Sequence, residues 1–365
     1  CPVTLDAKAP SGAGAVEGAA EGPAETTRHR ATRLLIRPRS GSATGKDGVR
    51  RDIQGLRALA VALVIAYHFF PGVLTGCYVG VDVFFVISGF LITLHLLRHP
   101  VRSVGDLLRF WARRVRRLLP AATLVLVVTA VAGYLWLPST VLGQLAGHVA
   151  AAGLYAENWV LAFTSTDYLA QGEVPSALQH FWSLSVEEQF YIVWPVLVTL
   201  VLLAAGAVSA RTRSRHGVLL GLALLGLVSL AWSVLDTRSD PAQAYFVTTT
   251  RVWELALGGV IAAAVAGGLV PGRPRLQAAL AWAGLAMIGY AALTFDSDTP
   301  FPGSAALLPT LGAAAVILAD ADRAAFSPAG LWRPPVVQQA GDLSYSLYLW
   351  HWPVLVIAPF ALDSD

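Results

Sequence analysis

Eight ionisable side chains lie inside long apolar stretches of this sequence or at their edges, where an unpaired charge is costly. They are Arg57, His68, Asp82, Glu187, Glu188, Arg251, Glu254 and His351. Histidine can take a proton from a hydroxyl near neutral pH, and arginine can hold a phosphate in a fixed geometry. Carboxylates can orient a histidine or bind a hydroxyl. The set therefore indicates proton transfer at a hydroxyl near a phosphorylated molecule.

Arg57 and His68 lie eleven residues apart in the first apolar stretch. In a helix that separation is about 16 Å and close to three turns, so both side chains lie on a similar side. One helix could then contact a phosphorylated donor at the inner membrane face and an alcohol acceptor towards the outer face. The alternative is an ordinary histidine near the outer interface, next to Phe69 and Phe70.

Asp82 and Ser88 interrupt a second apolar stretch, Gly80–Thr93. Gly80 and Gly89 in the same stretch are small enough to allow close helix packing. Two interpretations of Asp82 remain open: a catalytic carboxylate, or a solvated carboxylate at the mouth of a helix bundle in which the glycines serve packing alone.

A later stretch carries two serines followed by two adjacent glutamates. Ser183 and Ser185 with Glu187 and Glu188 could cap a helix start, as in a capping box. Adjacent residues on a helix point about 100° apart, so both carboxylates are not expected to face one cavity. We expect one of them to pair with an arginine such as Arg251, and the other to orient a histidine or to bind an acceptor.

The last apolar stretch is rich in aromatic residues. It carries Tyr345, Tyr348 and His351 together with Trp350 and Trp352. A belt of aromatic residues at a membrane interface accounts for the tryptophans without any role in chemistry. His351 could bind a substrate or could equally form a hydrogen bond with the backbone.

The composition indicates the elements that must position these residues. The chain has 365 residues, of which 55% are hydrophobic and 13% charged, whereas a soluble domain carries about 25% charged residues. Because runs of roughly 20 apolar residues are typical of transmembrane helices, we predict an all-α integral membrane protein, a polytopic bundle of about nine to ten such helices. The net charge of +3 and the two cysteines indicate neither nucleic-acid binding nor a metal site.

The apolar stretches and the basic residues between them predict a topology. The predicted spans are 56–74, 78–97, 119–137, 181–205, 217–235, 246–267, 276–295, 302–319 and 342–361. A weaker stretch, 143–163, contains several polar residues and is predicted to be re-entrant or packed at the outer face. Basic clusters then alternate with poorly basic loops, which places the N-terminus in the cytoplasm.

Two segments differ from the spans. Residues 1–50 lack a large apolar cluster and are predicted to form a disordered cytoplasmic tail. Residues 101–119 carry apolar side chains at helical spacing with arginines among and opposite them. This pattern predicts a basic amphipathic helix on the cytoplasmic face.

Six motifs, in order and covering about residues 50–361, resemble the acyltransferase 3 family. They are Arg57 with His68, Gly80–Phe90, Phe110–Pro120, Phe181–Tyr191, Arg251–Gly258 and Ser344–Pro353. Within that family the chain is similar to the O-antigen and peptidoglycan O-acetylases. The resemblance implies a multi-pass enzyme of the bacterial inner membrane. It would move an acyl group, usually acetyl, from acetyl-coenzyme A in the cytoplasm to a hydroxyl of an extracytoplasmic glycan.

The resemblance also implies roles for individual residues. It makes His68 the catalytic base or a transient acyl carrier, and Glu187 and Glu188 functionally required. Asp82 joins these catalytic candidates because of its place in an apolar stretch, not through the resemblance. The residues expected to bind acyl-coenzyme A are Arg57, Arg114 and Arg117. From the residues themselves, and not from the resemblance, Ser185, Tyr345 and His351 are expected to bind the acceptor. Neither a permanently bound cofactor nor a metal is implied, and the partners are the bilayer, acyl-coenzyme A and the acceptor.

The chain departs from the family pattern at its C-terminal end. Family members continue with a further span, and many add an extracytoplasmic SGNH domain. We therefore expect residues 51–365 to be a transmembrane domain that lacks its last span. A transporter or flippase for a lipid-linked glycan is the alternative, in which Arg57, Arg114 and Arg117 would serve topology alone. A pure scaffold is disfavoured, because buried histidine and carboxylates would then be costly without use.

Overall fold

A computed structural model of the chain describes residues 50–168, 175–208 and 213–362. The predicted tail, residues 1–50, lies outside the described residues except for its last position. All described residues belong to one compact unit.

The described residues form an all-helical bundle. Its first seven helices are α1 (Arg51–Phe69), α2 (Gly80–Arg98), α3 (Val104–Trp136), α4 (Leu142–Gly153), α5 (Glu157–Tyr168), α6 (Phe181–Val208) and α7 (Arg213–Ser239). The others are α8 (Pro241–Phe246), α9 (Thr248–Ala266), α10 (Pro274–Thr294), α11 (Leu307–Ala319), α12 (Ala329–Trp332) and α13 (Pro335–Ala361). Short 3-10 turns lie at Cys77–Val79, Ser139–Val141 and Ala321–Arg323.

Seven helices in the described part of the chain are long and apolar enough to cross a membrane. They are Arg51–Phe69, Cys77–Arg98, Val104–Trp136, Phe181–Ala204, Gly217–Ser239, Thr248–Ala266 and Pro274–Thr294. The prediction of an all-α polytopic membrane protein is thereby confirmed. The remaining two predicted spans correspond to α11, which has 13 residues, and to α13, which has 27 residues and contains Pro353 and Pro359.

The weak stretch 143–163 does not form one long helix. It is divided between α4 and α5, which have 12 residues each. A helix of that length extends only about 18 Å, against roughly 30 Å of bilayer hydrocarbon. The two helices separate at Tyr155, whose φ of 52° lies in the left-handed region. The expectation that 143–163 is not a single span is confirmed, whereas its place at the outer face stays a prediction.

The prediction of a helix within residues 101–119 is confirmed from Val104 onward, but this helix is not separate from the span that follows it. Residues 104–136 form the single helix α3 of 33 residues, about 50 Å long, which runs through Pro120. Ser103 and Asp106 begin it with reciprocal side-chain to backbone hydrogen bonds, so its start is a capping box. Proline is tolerated inside membrane helices because neighbouring groups satisfy the freed carbonyl. The basic half and the apolar half therefore belong to one helix.

The predicted close packing at Gly80 and Gly89 is confirmed. A Cβ atom added at Gly89 would overlap the carbonyl oxygen of Leu255 on α9, and one added at Gly258 would overlap that of Val86 on α2. Each glycine therefore allows the backbone of one helix to touch the backbone of the other.

Replacing Gly89 or Gly258 by alanine is expected to destabilise the bundle by about 1–3 kcal/mol, because α2 and α9 must move apart to admit the methyl group. The matched control is Gly289→Ala on α10, where no described residue beyond the adjacent turns of the same helix has an atom within 4 Å of the added Cβ. Thermal unfolding of the purified variants in one detergent measures both. Equal melting temperatures for the three variants would contradict the proposed contact.

Candidate functional site

Two polar cavities lie next to each other within the bundle. The first, which we call the arginine cavity, has a volume of about 240 Å³. Its charged lining residues are Arg57, Arg114, Arg117, Glu187, Glu188 and Asp342. The second, which we call the histidine cavity, has a volume of about 160 Å³. Its polar and aromatic lining residues include Tyr67, His68, His180, Tyr245, Tyr348 and Trp352.

Within the described part of the chain, the arginines of the first cavity retain free donors. Ion pairs closer than 4.0 Å among the described residues do not include Arg57, Arg114 or Arg117. The guanidinium carbon of Arg114 lies 3.5 Å from the centre of the Tyr191 ring. Its Nε is buried and has no hydrogen-bond partner among the described residues. Arg57 donates from Nη1 to Gln54 Oε1 at 3.0 Å. This arrangement can bind an anion, because guanidinium N–H groups are directed at phosphate or carboxylate oxygens.

Both glutamates of α6 line the arginine cavity, so the expectation that they face different surroundings is wrong. The cavity is bounded by residues of α1, α2, α3, α6 and α13, and it therefore covers a wide arc of α6. Glu187 Oε1 accepts hydrogen bonds from the hydroxyls of Ser88 and Tyr191. Two donors from different helices hold this carboxylate in one orientation.

The two serines of the same stretch do not form the expected capping box. Helix α6 begins at Phe181, so both serines lie inside it. Ser185 is fully buried, donates to the carbonyl oxygen of Phe181 at 2.9 Å and lines neither cavity. Ser183 is 2.5 Å from the hydroxyl of Tyr348. The structure therefore does not bring Ser185 to the cavities, where it was expected to bind the acceptor.

The histidine cavity brings together residues from distant parts of the chain. His68 Nδ1 on α1 lies 3.0 Å from His351 Nε2 on α13. His351 Nδ1 lies 2.6 Å from the carbonyl oxygen of Tyr348. His180 directly precedes α6, and its Nε2 lies 3.1 Å from the carbonyl oxygen of Leu349. Helix α13 therefore contacts His180 through its backbone and His68 through the side chain of His351.

Two residues line both cavities, namely Val81 and Tyr348. The Tyr348 hydroxyl also donates to the carbonyl oxygen of His180 at 3.1 Å. The two cavities therefore adjoin at these side chains. A molecule held by the arginines could extend its far end past them towards the histidines.

Asp82 lies in a buried charge cluster away from the cavity walls. Arg251 donates from Nη1 to Asp82 Oδ1 at 2.9 Å and to Glu254 Oε1 at 3.0 Å. All three residues are at most 1% exposed, so the interpretation of Asp82 as a solvated carboxylate is wrong. The expected pairing of Arg251 with Glu187 or Glu188 is also wrong. Asp82 lines neither cavity, and its catalytic role stays a prediction.

The other expected acceptor residues lie apart from each other. Tyr345 lines the arginine cavity and donates to the carbonyl oxygen of Leu118 at 3.1 Å. His351 is 7% exposed and contacts His68. His180 was missed as a candidate because it precedes the apolar run of α6, although a histidine at a predicted helix start is a signal that could have singled it out.

Residues 50–363 match the family model described as Acyltransferase domain, that of acyltransferase 3. The peptidoglycan O-acetyltransferase OatA of Listeria monocytogenes is 33% identical over 322 residues, 86% of this chain and 50% of that protein. The O-acetyltransferase OatA of Staphylococcus aureus is 31% identical over 314 residues, 83% of this chain and 50% of that protein.

A relative of more similar length is BcsY of Komagataeibacter xylinus, described as a candidate membrane-bound transacylase. It is 35% identical over 321 residues, 86% of this chain and 75% of that protein. The chain spans about half the length of the two O-acetyltransferases. No solved structure matches it. The family model covers most of the chain, including the residues that line both cavities, and the chain therefore belongs to the acyltransferase 3 family.

Proposed function

We propose that this chain transfers an acyl group, in the simplest case acetyl, from acyl-coenzyme A to a hydroxyl of a cell-envelope glycan. The observation that supports this most is the contact of two cavities of different chemistry, one with free arginine donors and one with histidines. The names of the relatives from Listeria monocytogenes and Staphylococcus aureus favour an O-acetyl product, and the first favours peptidoglycan as the acceptor.

The arginine cavity would hold the phosphates of the donor. Arg57, Arg114 and Arg117 carry guanidinium groups outside the ion pairs of the described residues, and a phosphate can accept several charge-assisted hydrogen bonds from them. The acylated end of the donor would then reach past Val81 and Tyr348 towards His68.

The transfer itself would take place beside His68. The imidazole takes the proton of the acceptor hydroxyl, whose oxygen attacks the thioester carbonyl carbon. The new C–O bond forms, the C–S bond breaks, and the proton passes to the coenzyme A thiolate. Such proton transfer by a positioned base contributes about 10²- to 10⁴-fold to a rate. Glu187, Glu188 and Asp82 would support the site by charge, and Tyr345 would lie on the donor side.

The chain purified in lipid nanodiscs with radiolabelled acetyl-coenzyme A and soluble peptidoglycan fragments tests the proposal. We expect labelled O-acetyl esters on the fragments, with one free coenzyme A released for each ester. A flippase would instead move a fluorescent lipid-linked glycan across proteoliposomes and transfer no label. That outcome would replace the acyltransferase by the transporter.

Replacing Arg114 and Arg117 by glutamine is expected to weaken acetyl-coenzyme A binding. Each lost charge-assisted contact costs about 1.5–3 kcal/mol, roughly 10- to 100-fold in Kd. Calorimetry with the nanodisc-embedded variants measures the change. Arg113→Gln is the matched control, because Arg113 lies on the same helix, is exposed and does not line the cavity. A double variant that binds with the parent affinity would remove both arginines from the donor site.

We also propose that the protein lies in the bacterial inner membrane with its N-terminus in the cytoplasm. The alternation of basic and poorly basic loops supports this orientation. A periplasmic or surface reporter inserted after Pro138 should be active, and the same reporter inserted after Arg273 should be silent. The reverse pattern would overturn the orientation while leaving the cavities unchanged.

A further inference from the structure

We infer that His351 is a positioning residue that sets which ring nitrogen of His68 carries the proton, a step that rests on the proposed role of His68 as base. His351 does so through two consecutive hydrogen bonds that link α1 to the backbone of α13. One joins His68 to His351, and the other joins His351 to the carbonyl group of Tyr348.

The hydrogen bond between His351 and the backbone decides the tautomer of His351. A carbonyl oxygen accepts hydrogen bonds and cannot donate one. Because His351 Nδ1 lies 2.6 Å from the carbonyl oxygen of Tyr348, that nitrogen must carry the proton. A neutral imidazole has a single N–H group. The Nε2 atom of neutral His351 is therefore an acceptor.

The tautomer of His68 follows from that of His351. His68 Nδ1 lies 3.0 Å from His351 Nε2, and one of the two atoms must donate. Since His351 Nε2 accepts, His68 Nδ1 donates and carries the proton. The lone pair of neutral His68 is then on Nε2, the ring nitrogen outside the contact with His351. His68 lines the histidine cavity, so this nitrogen is the one available to take a proton from an alcohol.

The packing around His68 and His351 keeps these two hydrogen bonds in one arrangement. The ring of His351 is buried, and the two imidazole planes are nearly parallel, 23° apart with centres at 5.1 Å. The Trp352 ring lies 4.5 Å from the His68 ring. After His68 has taken a proton, its Nδ1–H still donates to the same neutral acceptor. Proton uptake at Nε2 therefore requires no rearrangement of His351.

A backbone carbonyl group of α13 fixes the tautomer of His180 in the same way. Its Nε2 lies 3.1 Å from the carbonyl oxygen of Leu349 and must donate, so the neutral ring has its lone pair on Nδ1. Nδ1 is buried and has no hydrogen-bond partner among the described residues. His180 lines the same cavity as His68. Carbonyl groups of α13 therefore fix the tautomer of both histidines, directly for His180 and through His351 for His68.

Nitrogen NMR of the protein labelled with ¹⁵N-histidine in nanodiscs tests the tautomer without any acyl transfer. His68→Gln identifies the signals of His68 by their loss. In the parent protein we expect His68 to have a protonated Nδ1 and an unprotonated Nε2. In His351→Leu we expect a mixture of both His68 tautomers. A protonated Nε2 in the parent, or an unchanged His68 tautomer in His351→Leu, would overturn the inference while leaving the proposed function intact.

Kinetics separate positioning from a merely structural contact. His351→Leu should lower kcat about 100-fold or more with an unchanged KM for acetyl-coenzyme A. His351→Gln should recover most of the rate, because its amide oxygen can accept from His68 Nδ1. His99→Leu is the control, since His99 is exposed at the end of α2. If His351→Gln and His351→Leu were equally slow while the His68 tautomer stayed unchanged in both, His351 would be structural.

Discussion

Replacing His68 by alanine is expected to reduce acyl transfer by about 10²- to 10⁴-fold, because the acceptor hydroxyl loses the base that takes its proton. Binding of acetyl-coenzyme A should be retained, since the arginines that would hold its phosphates line the other cavity. The measurements are turnover of radiolabelled acetyl-coenzyme A in nanodiscs and the Kd of the donor by calorimetry. Together they distinguish a catalytic loss from a binding loss.

The controls for His68 follow from its surroundings. His99→Ala removes an exposed imidazole at the other end of the neighbouring helix α2 and should leave turnover unchanged. If His68 carries the acyl group transiently, protein incubated with labelled donor and no acceptor should retain label, and His68→Ala should not. Parent-like turnover in His68→Ala would remove this histidine from the mechanism altogether.

Replacing Arg251 by methionine is expected to produce the largest loss of stability, about 3–5 kcal/mol, because it leaves a buried charge without its partner. Arg251 is 1% exposed and bridges Asp82 of α2 to Glu254 of its own helix α9. Glu254 Oε2 already has no hydrogen-bond partner among the described residues. Without the guanidinium, both carboxylates would face a low-dielectric interior.

The test compares variants by thermal unfolding in one detergent. Arg251→Met should unfold at a much lower temperature than the parent. The triple variant with Asp82→Asn and Glu254→Gln should recover a large part of the loss, because no buried charge remains. Arg238→Met at the exposed end of α7 is the control for losing one arginine. A triple variant no more stable than Arg251→Met would show that the cluster acts through shape and not through charge.

The local features of this bundle could be predicted from the sequence because they depend on neighbours in the chain. Apolar runs of helical length predict helices such as α2 and α9 within a few residues. Gly80 and Gly89 indicate close packing, since a missing side chain can serve little else in an apolar helix. The polar interruptions of 143–163 predict that no long helix spans it. The continuity of α3 through Pro120 was not predictable, because the surrounding helices and not the proline decide it.

The partners of the buried charged residues were decided only by the tertiary structure. Arg251 is 169 residues from Asp82, and His68 is 283 residues from His351. Helical periodicity assigns a side chain to a face, but not the helix that packs against that face. For the same reason Glu187 and Glu188 could be singled out but not placed on one cavity. By itself the sequence determined which ionisable residues lie in apolar helices, where burial costs free energy unless the residue has a partner or a role. The packing of α13 against α1 decided that His68 has a second histidine beside it.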